Sequence, residues 1–237
     1  MEHNRIATFV NGDVMTDFSP KYISFDCYGT LINWQITPVT RELVGDQLSE
    51  NDWPEFLRQF GKYRLDQVCG TYYPYRQVLE DAFTRVCKRW GIEAAPDAGQ
   101  RLGDAVLSWG PHADVPAPLA AMAQHFPLVI LSNADDAFLD VSAPKLGAPF
   151  HAVYTAEQAG VYKPRYQAFE YMLDTLNASP SDFVHVTSHT RYDIMPAHDL
   201  GFDNLVFLDR GFDPLVPAYG YTKVDSLDEL NKLLGIA

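Results

Sequence analysis

The sequence predicts an α/β fold: a Rossmann-like, doubly wound parallel sheet with a helical block inserted after its first strand. Three observations predict it. Short, nearly continuous apolar runs alternate with amphipathic stretches of helical period. That alternation breaks once, between residues 36 and 111, where the text is helical throughout. Small polar or charged residues then recur at the ends of the apolar runs, where an open parallel sheet binds its ligands.

The elements follow in chain order. Residues 1–20 form an N-terminal extension, in which "ATFVNGDVM" reads either as an Asn-Gly hairpin or as a disordered tail. The first strand is "YISFDC" (22–27), and residues 21–35 open the α/β core. Residues 36–111 form the inserted helical cap. "PEFLRQFGKYRLDQVCG" starts beside Pro54, and "YRQVLEDAFTRVCKRWG" ends in a basic turn and the stop Gly91. The chain returns to the core through "PHADVPAP", and residues 112–237 complete it. Four more strands are expected there, "PLVILS" (127–132), "AVYTA" (152–156), "FVHVTS" (183–188) and "NLVFLD" (204–209). Their continuous apolar character suits strands covered on both faces. The helices between them are "APLAAMAQHF", "DAFLDVSAPKLG", "PRYQAFEYMLDTLNA" and "DIMPAHDLG".

Composition narrows the function. A net charge of −13 leaves no basic stripe for nucleic acid or an anionic membrane. No apolar run approaches the ~18–20 residues of a membrane span. Three cysteines, Cys27, Cys69 and Cys87, show no CxxC spacing, which fits a reducing cytoplasm. The expectation is a cytoplasmic protein whose anionic ligand, if it has one, is drawn in by a few local cations.

Asp26 ends the first strand and is followed by Gly29 and Thr30. An acid there serves as nucleophile, metal ligand or helix cap, and taken alone the capping reading is the better one. The other strand ends carry Ser132 and Asn133, then Lys163 in "GVYKPRY", then Ser188, Thr190 and Asp193 in "TSHTRYD". Each also has an ordinary structural reading: an N-cap, a solvated charge, a first-turn acid. Together, at one edge of one sheet, they point to a site.

These segments, "FDCYGTL", "LSN", "YKP" and "SHTRYD", resemble the motifs of the haloacid dehalogenase (HAD) superfamily, and the insert matches its cap. The resemblance covers all but the N-terminal extension. Phosphatases of that superfamily carry a second acid two residues after the nucleophile, which protonates the leaving alkoxide. They also bind Mg²⁺, usually through an additional acid at the place of His189. Here the first position is Tyr28. A halide departs as an anion and needs no proton, so "DCY" suits displacement at carbon, and the first motif is similar to that of the L-2-haloacid dehalogenases.

The resemblance implies conversion of (S)-2-haloacids (2-haloalkanoic acids) to 2-hydroxy acids and halide through an ester on Asp26, with no metal and no other cofactor. It implies that Lys163 keeps Asp26 ionised, that Asp193 orients water, and that Thr30 and Ser188 hold the carboxylates. Ser132 and Asn133 would orient the substrate carboxylate, and Tyr28 and Tyr192 would wall the carbon centre. Arg58 is the first choice for the cap arginine that meets substrate or halide, with Arg64 or Arg76 as substitutes. Two departures stand out: Thr190 replaces the family's water-positioning Asn, and Phe169 replaces a Tyr. Arg191 could face the site, and His189 is either a proton carrier or a loop residue. Cys27 is expected in the core, and most rings of "GTYYPYRQV" (70–78) among the cap helices. Two alternatives stay open: a phosphatase lacking its usual general acid, and a non-catalytic protein binding a small carboxylate or a partner. The family also includes homodimers, but no stretch here identifies such a face.

Overall fold

The computed structural model describes residues 6–10, 13–18 and 20–236. In chain order the elements are β1 (Ile6–Val10), β2 (Asp13–Phe18), β3 (Tyr22–Phe25), α1 (Ile36–Val44), α2 (Trp53–Val68), α3 (Tyr75–Trp90), α4 (Ala98–Ser108) and α5 (Pro116–Met122). There follow β4 (Leu128–Ser132), α6 (Asp136–Ser142), β5 (Ala152–Thr155), α7 (Ala156–Ala159), α8 (Tyr166–Leu176), β6 (Phe183–Thr187), α9 (Met195–Asp199), β7 (Leu205–Leu208), β8 (Thr222–Val224) and α10 (Leu227–Leu233). β1 and β2 pair antiparallel, as the hairpin reading expects; the Asn11-Gly12 turn itself lies outside the described residues.

The main sheet has the order β5-β4-β3-β6-β7-β8, and every pairing in it is parallel. From β3 the chain runs outward through β4 to β5, then crosses back to place β6 on the other side of β3. The end of β3 is therefore the switch point where a crevice opens. Asp26 follows β3 directly.

Alternate residues of β4 enter different cores. Leu128 and Ile130 pack with one cluster, Val129 and Leu131 with the other. Both faces of the sheet are covered, which explains the unbroken apolar runs. The strands match the sequence expectation with ends trimmed by one or two residues. β8 went unseen because "TKV" is short and carries a half-exposed lysine.

Helices α1–α4 lie between β3 and β4 in sequence. α3 buries Val78, Leu79, Ala82, Phe83, Val86 and Cys87 along one stripe, and Gly91 at φ 66° closes it after Lys88 and Arg89. Phe60 of α2 meets Phe83 edge-on, with centroids 5.7 Å apart. Among the described residues no helix is long and apolar enough to cross a membrane.

Candidate active site

The end of β3 presents Asp26, which is 5% exposed. Its Oδ2 accepts the Thr30 hydroxyl at 2.7 Å, and Thr30 Oγ1 lies 3.0 Å from Ser188 Oγ and accepts the Ser188 N–H at 2.9 Å. Two strand-end loops are thereby pinned around one carboxylate. Asp26 Oδ1 accepts the Lys163 ammonium at 3.0 Å, and the same ammonium donates to Asp193 Oδ1 at 2.7 Å and to the Leu131 carbonyl at 2.7 Å. Lys163 is thus not a surface charge; its side chain is 1% exposed.

The electrostatics follow from this packing. Burial alone would pull the Lys163 ammonium down, but the carboxylates of Asp193 and Asp26 outweigh it and hold its pKa above the usual lysine value. Burial works against an ionised Asp193 too, yet Lys163 and His185 more than offset that and lower its pKa to about 2. His185 was missed at the level of sequence. Its Nε2 lies 3.1 Å from Asp193 Oδ1 and its Nδ1 2.9 Å from Ser24 Oγ. The available signal was one polar residue inside the apolar run "FVHVT". Phe169, standing where the family has Tyr, packs edge-on against this same imidazole at 5.7 Å.

A cavity of about 640 Å³ opens over Asp26. Tyr28, Ser132, Asn133, Tyr192, Arg58, Arg64, Arg191 and His189 all line it, together with Trp34, Leu65, Val68, Tyr75 and the loop residues Phe212, Asp213 and Pro214. Tyr28 spends its hydroxyl on the Phe138 carbonyl and Ser142 at 3.1 and 2.8 Å, leaving its ring as wall. Tyr192 is likewise kept neutral, burial raising its phenol well above the usual value.

Three sequence expectations need correction. Asn133 borders the cavity, but its amide is engaged with the backbone: Nδ2 donates to the Lys163 carbonyl at 2.8 Å and Oδ1 accepts the Lys163 N–H at 2.7 Å, clamping the loop that carries the lysine. Thr190 turns away from the cavity, its hydroxyl donating to the Pro214 carbonyl at 3.0 Å and its N–H to Asp213 at 2.9 Å. The cause is local. Residues Thr190–Ile194 wind as one wide turn, with the Ile194 N–H reaching back to the His189 carbonyl at 3.2 Å. Arg58 borders the cavity, but its side chain is 53% exposed and paired with Glu55. Arg64 is the better-placed arginine. Its guanidinium lies 4.5 Å over the Trp34 ring, and its Nε is buried with no partner in the protein. Arg76 pairs with Asp104 and does not line the cavity.

Two other buried polar atoms lack protein partners here, Ser132 Oγ and Asp193 Oδ2. Buried polar groups are normally satisfied, so atoms of this kind at one site suit a polar ligand or water. Cys27 is core, as expected, and burial raises its thiol. In "GTYYPYRQV" only part of the expectation survives. Tyr75 lines the cavity, Tyr72 stacks on Tyr162 outside the insert at 5.3 Å, and Tyr73 is half exposed.

Comparison with known proteins identifies the family and the fold. Residues 20–201 match the family described as haloacid dehalogenase-like hydrolases. The (S)-2-haloacid dehalogenase H-109 of Pseudomonas putida is 28% identical over 187 residues, covering 76% of this chain and 82% of that relative. Among solved structures, the Xanthobacter autotrophicus L-2-haloacid dehalogenase with chloropropionic acid covalently bound superposes with a TM-score of 0.72 at 19% identity, covering 92% of this chain and 100% of that one. A Bacillus subtilis HAD-hydrolase, YfnB, bound to magnesium reaches 0.75 at 18% identity, covering 92% and 99%.

Proposed function

Because the chain belongs to the haloacid dehalogenase-like hydrolases, we propose that it is a hydrolytic dehalogenase of (S)-2-haloacids working through an ester on Asp26. One observation carries the reading: a buried carboxylate accepts a hydrogen bond from the Lys163 ammonium, with a tyrosine ring where a leaving group's proton donor would stand. The same fold serves a magnesium-bound relative, so the fold does not choose the chemistry and the site must. Relatives named as (S)-2-haloacid dehalogenases support the choice.

The steps balance without an external proton donor. An oxygen of Asp26 attacks the α-carbon opposite the halogen, the C–O bond forms, and the C–X electron pair leaves with the halide, inverting the centre. Arg64 and Ser132 Oγ, both with unmet hydrogen-bonding capacity in the wall, receive the substrate carboxylate and halide. Water near Asp193 Oδ2 then attacks the ester carbonyl of Asp26 and the acyl C–O bond to the substrate breaks; one water proton goes to the departing alkoxide to give the 2-hydroxy acid, and the other passes by way of Asp193 to solvent. The Lys163 ammonium pairs again with Asp26 as it returns to a carboxylate.

A phosphatase would need to protonate an alkoxide, a contribution of about 10²–10⁴ in rate, and the Tyr28 hydroxyl is committed to Phe138 and Ser142. A non-catalytic reading draws on Thr190 being turned away from the cavity, but a buried nucleophile–lysine pair has no use in a passive binder.

The deciding experiment is halide release and hydroxy-acid formation from (S)-2-chloropropionate with EDTA present, in wild type and Asp26→Asn. Turnover that survives EDTA and disappears in the variant is expected. Phosphate release from aryl phosphates that depends on Mg²⁺, with no halide formed, would reverse the assignment. Binding of the acid unchanged by Asp26→Asn, again without turnover, would favour the passive reading.

A further inference from the structure

His189 occupies a particular point of the site. Its Nε2 stands 3.1 Å from the Tyr28 carbonyl and 3.9 Å from Asp26 Oδ2. A carbonyl only accepts, so Nε2 carries the hydrogen and donates. The ring is fixed on other sides as well. The backbone N–H of His189 donates to Thr187 Oγ1 at 3.0 Å, Nδ1 lies 3.9 Å from Asp213 Oδ2, and the Tyr192 and Phe212 rings flank the imidazole with centroids 5.5 and 6.4 Å away. Beneath it is Gly29 at φ +95°, where a Cβ would come within 2.7 Å of Nε2. The backbone after the nucleophile has been left bare where the imidazole lies on it.

Asp26 Oδ2 and the Tyr28 carbonyl are the kind of oxygens a hard divalent cation takes, at about 2.0–2.1 Å for Mg²⁺. Any ion bound by both would have to share the place of the Nε2–H. The rest of the donor set is short of free oxygens, so position 189 decides. Asp193 Oδ1 is taken by Lys163 and His185, Asp26 Oδ1 by Lys163, and position 189 offers a donor where an oxygen ligand would be needed. No cluster of metal-ligating side chains appears among the described residues.

We propose that the His189 imidazole stands in for a divalent cation: its Nε2–H bonds the Tyr28 carbonyl, faces Asp26 Oδ2, and keeps the crevice closed to Mg²⁺. One side chain thereby separates this site from metal-dependent chemistry on the same frame. The claim concerns ion binding, so it stands or falls separately from the identity of the substrate.

The test is the melting temperature of EDTA-treated protein with and without about 10 mM MgCl₂, for wild type, His189→Asp, His189→Asn and His189→Asp/Asp26→Asn. Wild type should shift by less than about 1 °C, and His189→Asp should rise by about 3 °C or more. His189→Asn, nearly isosteric and uncharged, should rise by less, and the double variant should lose the gain. A wild-type rise equal to that of His189→Asp and removed by Asp26→Asn would overturn the proposal, since the ring would not be excluding the ion. So would folded His189→Asp and His189→Asn proteins that show no rise.

Discussion

Lys163 Nζ and Asp193 Oδ1 stand 2.7 Å apart with both side chains essentially inaccessible, and the same ammonium reaches Asp26 at 3.0 Å. One cation thus compensates two buried carboxylates. Removing one partner of a buried ion pair costs about 3–5 kcal/mol, because the remaining charge is left without compensation. Lys163→Met should therefore lower unfolding stability in urea by about that amount and abolish turnover. A loss below about 1 kcal/mol would mean that Asp26 or Asp193 simply takes up a proton, and that the lysine does not set their charge.

Acid should unfold the protein in a defined window. Asp193 has its pKa lowered to about 2 in the folded state, against about 3.9 in an unfolded chain. A lowered folded pKa means stability that is fully present above pH 4 and is lost as pH falls through about 2. The size is about 2–3 kcal/mol. Chemical denaturation at a series of pH values should show this slope in wild type and a shallower one in Asp193→Asn. Equal slopes between pH 4 and 2 would assign the acid lability to other carboxylates.

The arginines should separate by kinetics. Arg64 has a buried Nε without a partner and lies over Trp34, whereas Arg58 is solvated and already paired with Glu55. A hydrogen bond to a charged group contributes about 1.5–3 kcal/mol, so Arg64→Met should raise KM for a 2-haloacid by about 10–100-fold. Arg58→Met should change it by less than about threefold, the exposed pair being worth little. The opposite ranking would return the anion-holding role to Arg58.

What the sequence made legible was whatever sits at a strand end. Asp26, Thr30, Lys163, Ser188 and Asp193 are local motifs, and a parallel sheet brings its strand ends to one edge without further information. Arg64 was less legible than Arg58 because the choice depends on which face of α2 turns toward Trp34. Helix packing decides that, and spacing within the motif does not. Asn133 and Thr190 were recognised as site residues but given the wrong partners. A side-chain amide can face a ligand or clamp a loop with the same sequence around it, and the wide turn at Thr190–Ile194 carries no composition cue. His185 was hidden for the reverse reason: a polar residue within a buried strand looks like an exception until its partner, Asp193, folds back beneath it.

The cavity bears on which acid is turned over. At about 640 Å³ it falls in the range of sites that hold ligands far larger than a three-carbon acid, about 300–1,000 Å³. Much of its lining is apolar, with Trp34, Ile36, Leu65, Val68 and Val78. Each methylene buried there contributes about 0.8 kcal/mol, or roughly a fourfold gain in binding. On the dehalogenase reading, kcat/KM should hold or rise from (S)-2-chloropropionate to (S)-2-chlorohexanoate, with the gain carried mostly by KM. Leu65 is only partly buried, so Leu65→Trp can fill the space without overpacking the core. It should erase the advantage of the longer acid and leave the short one within about threefold of wild type, well under the ~1–3 kcal/mol a pocket exerts per methylene. A steep decline with chain length in the wild type would show instead that the reacting carbon sits in a much smaller subsite at Asp26, with the wider cavity serving only for entry.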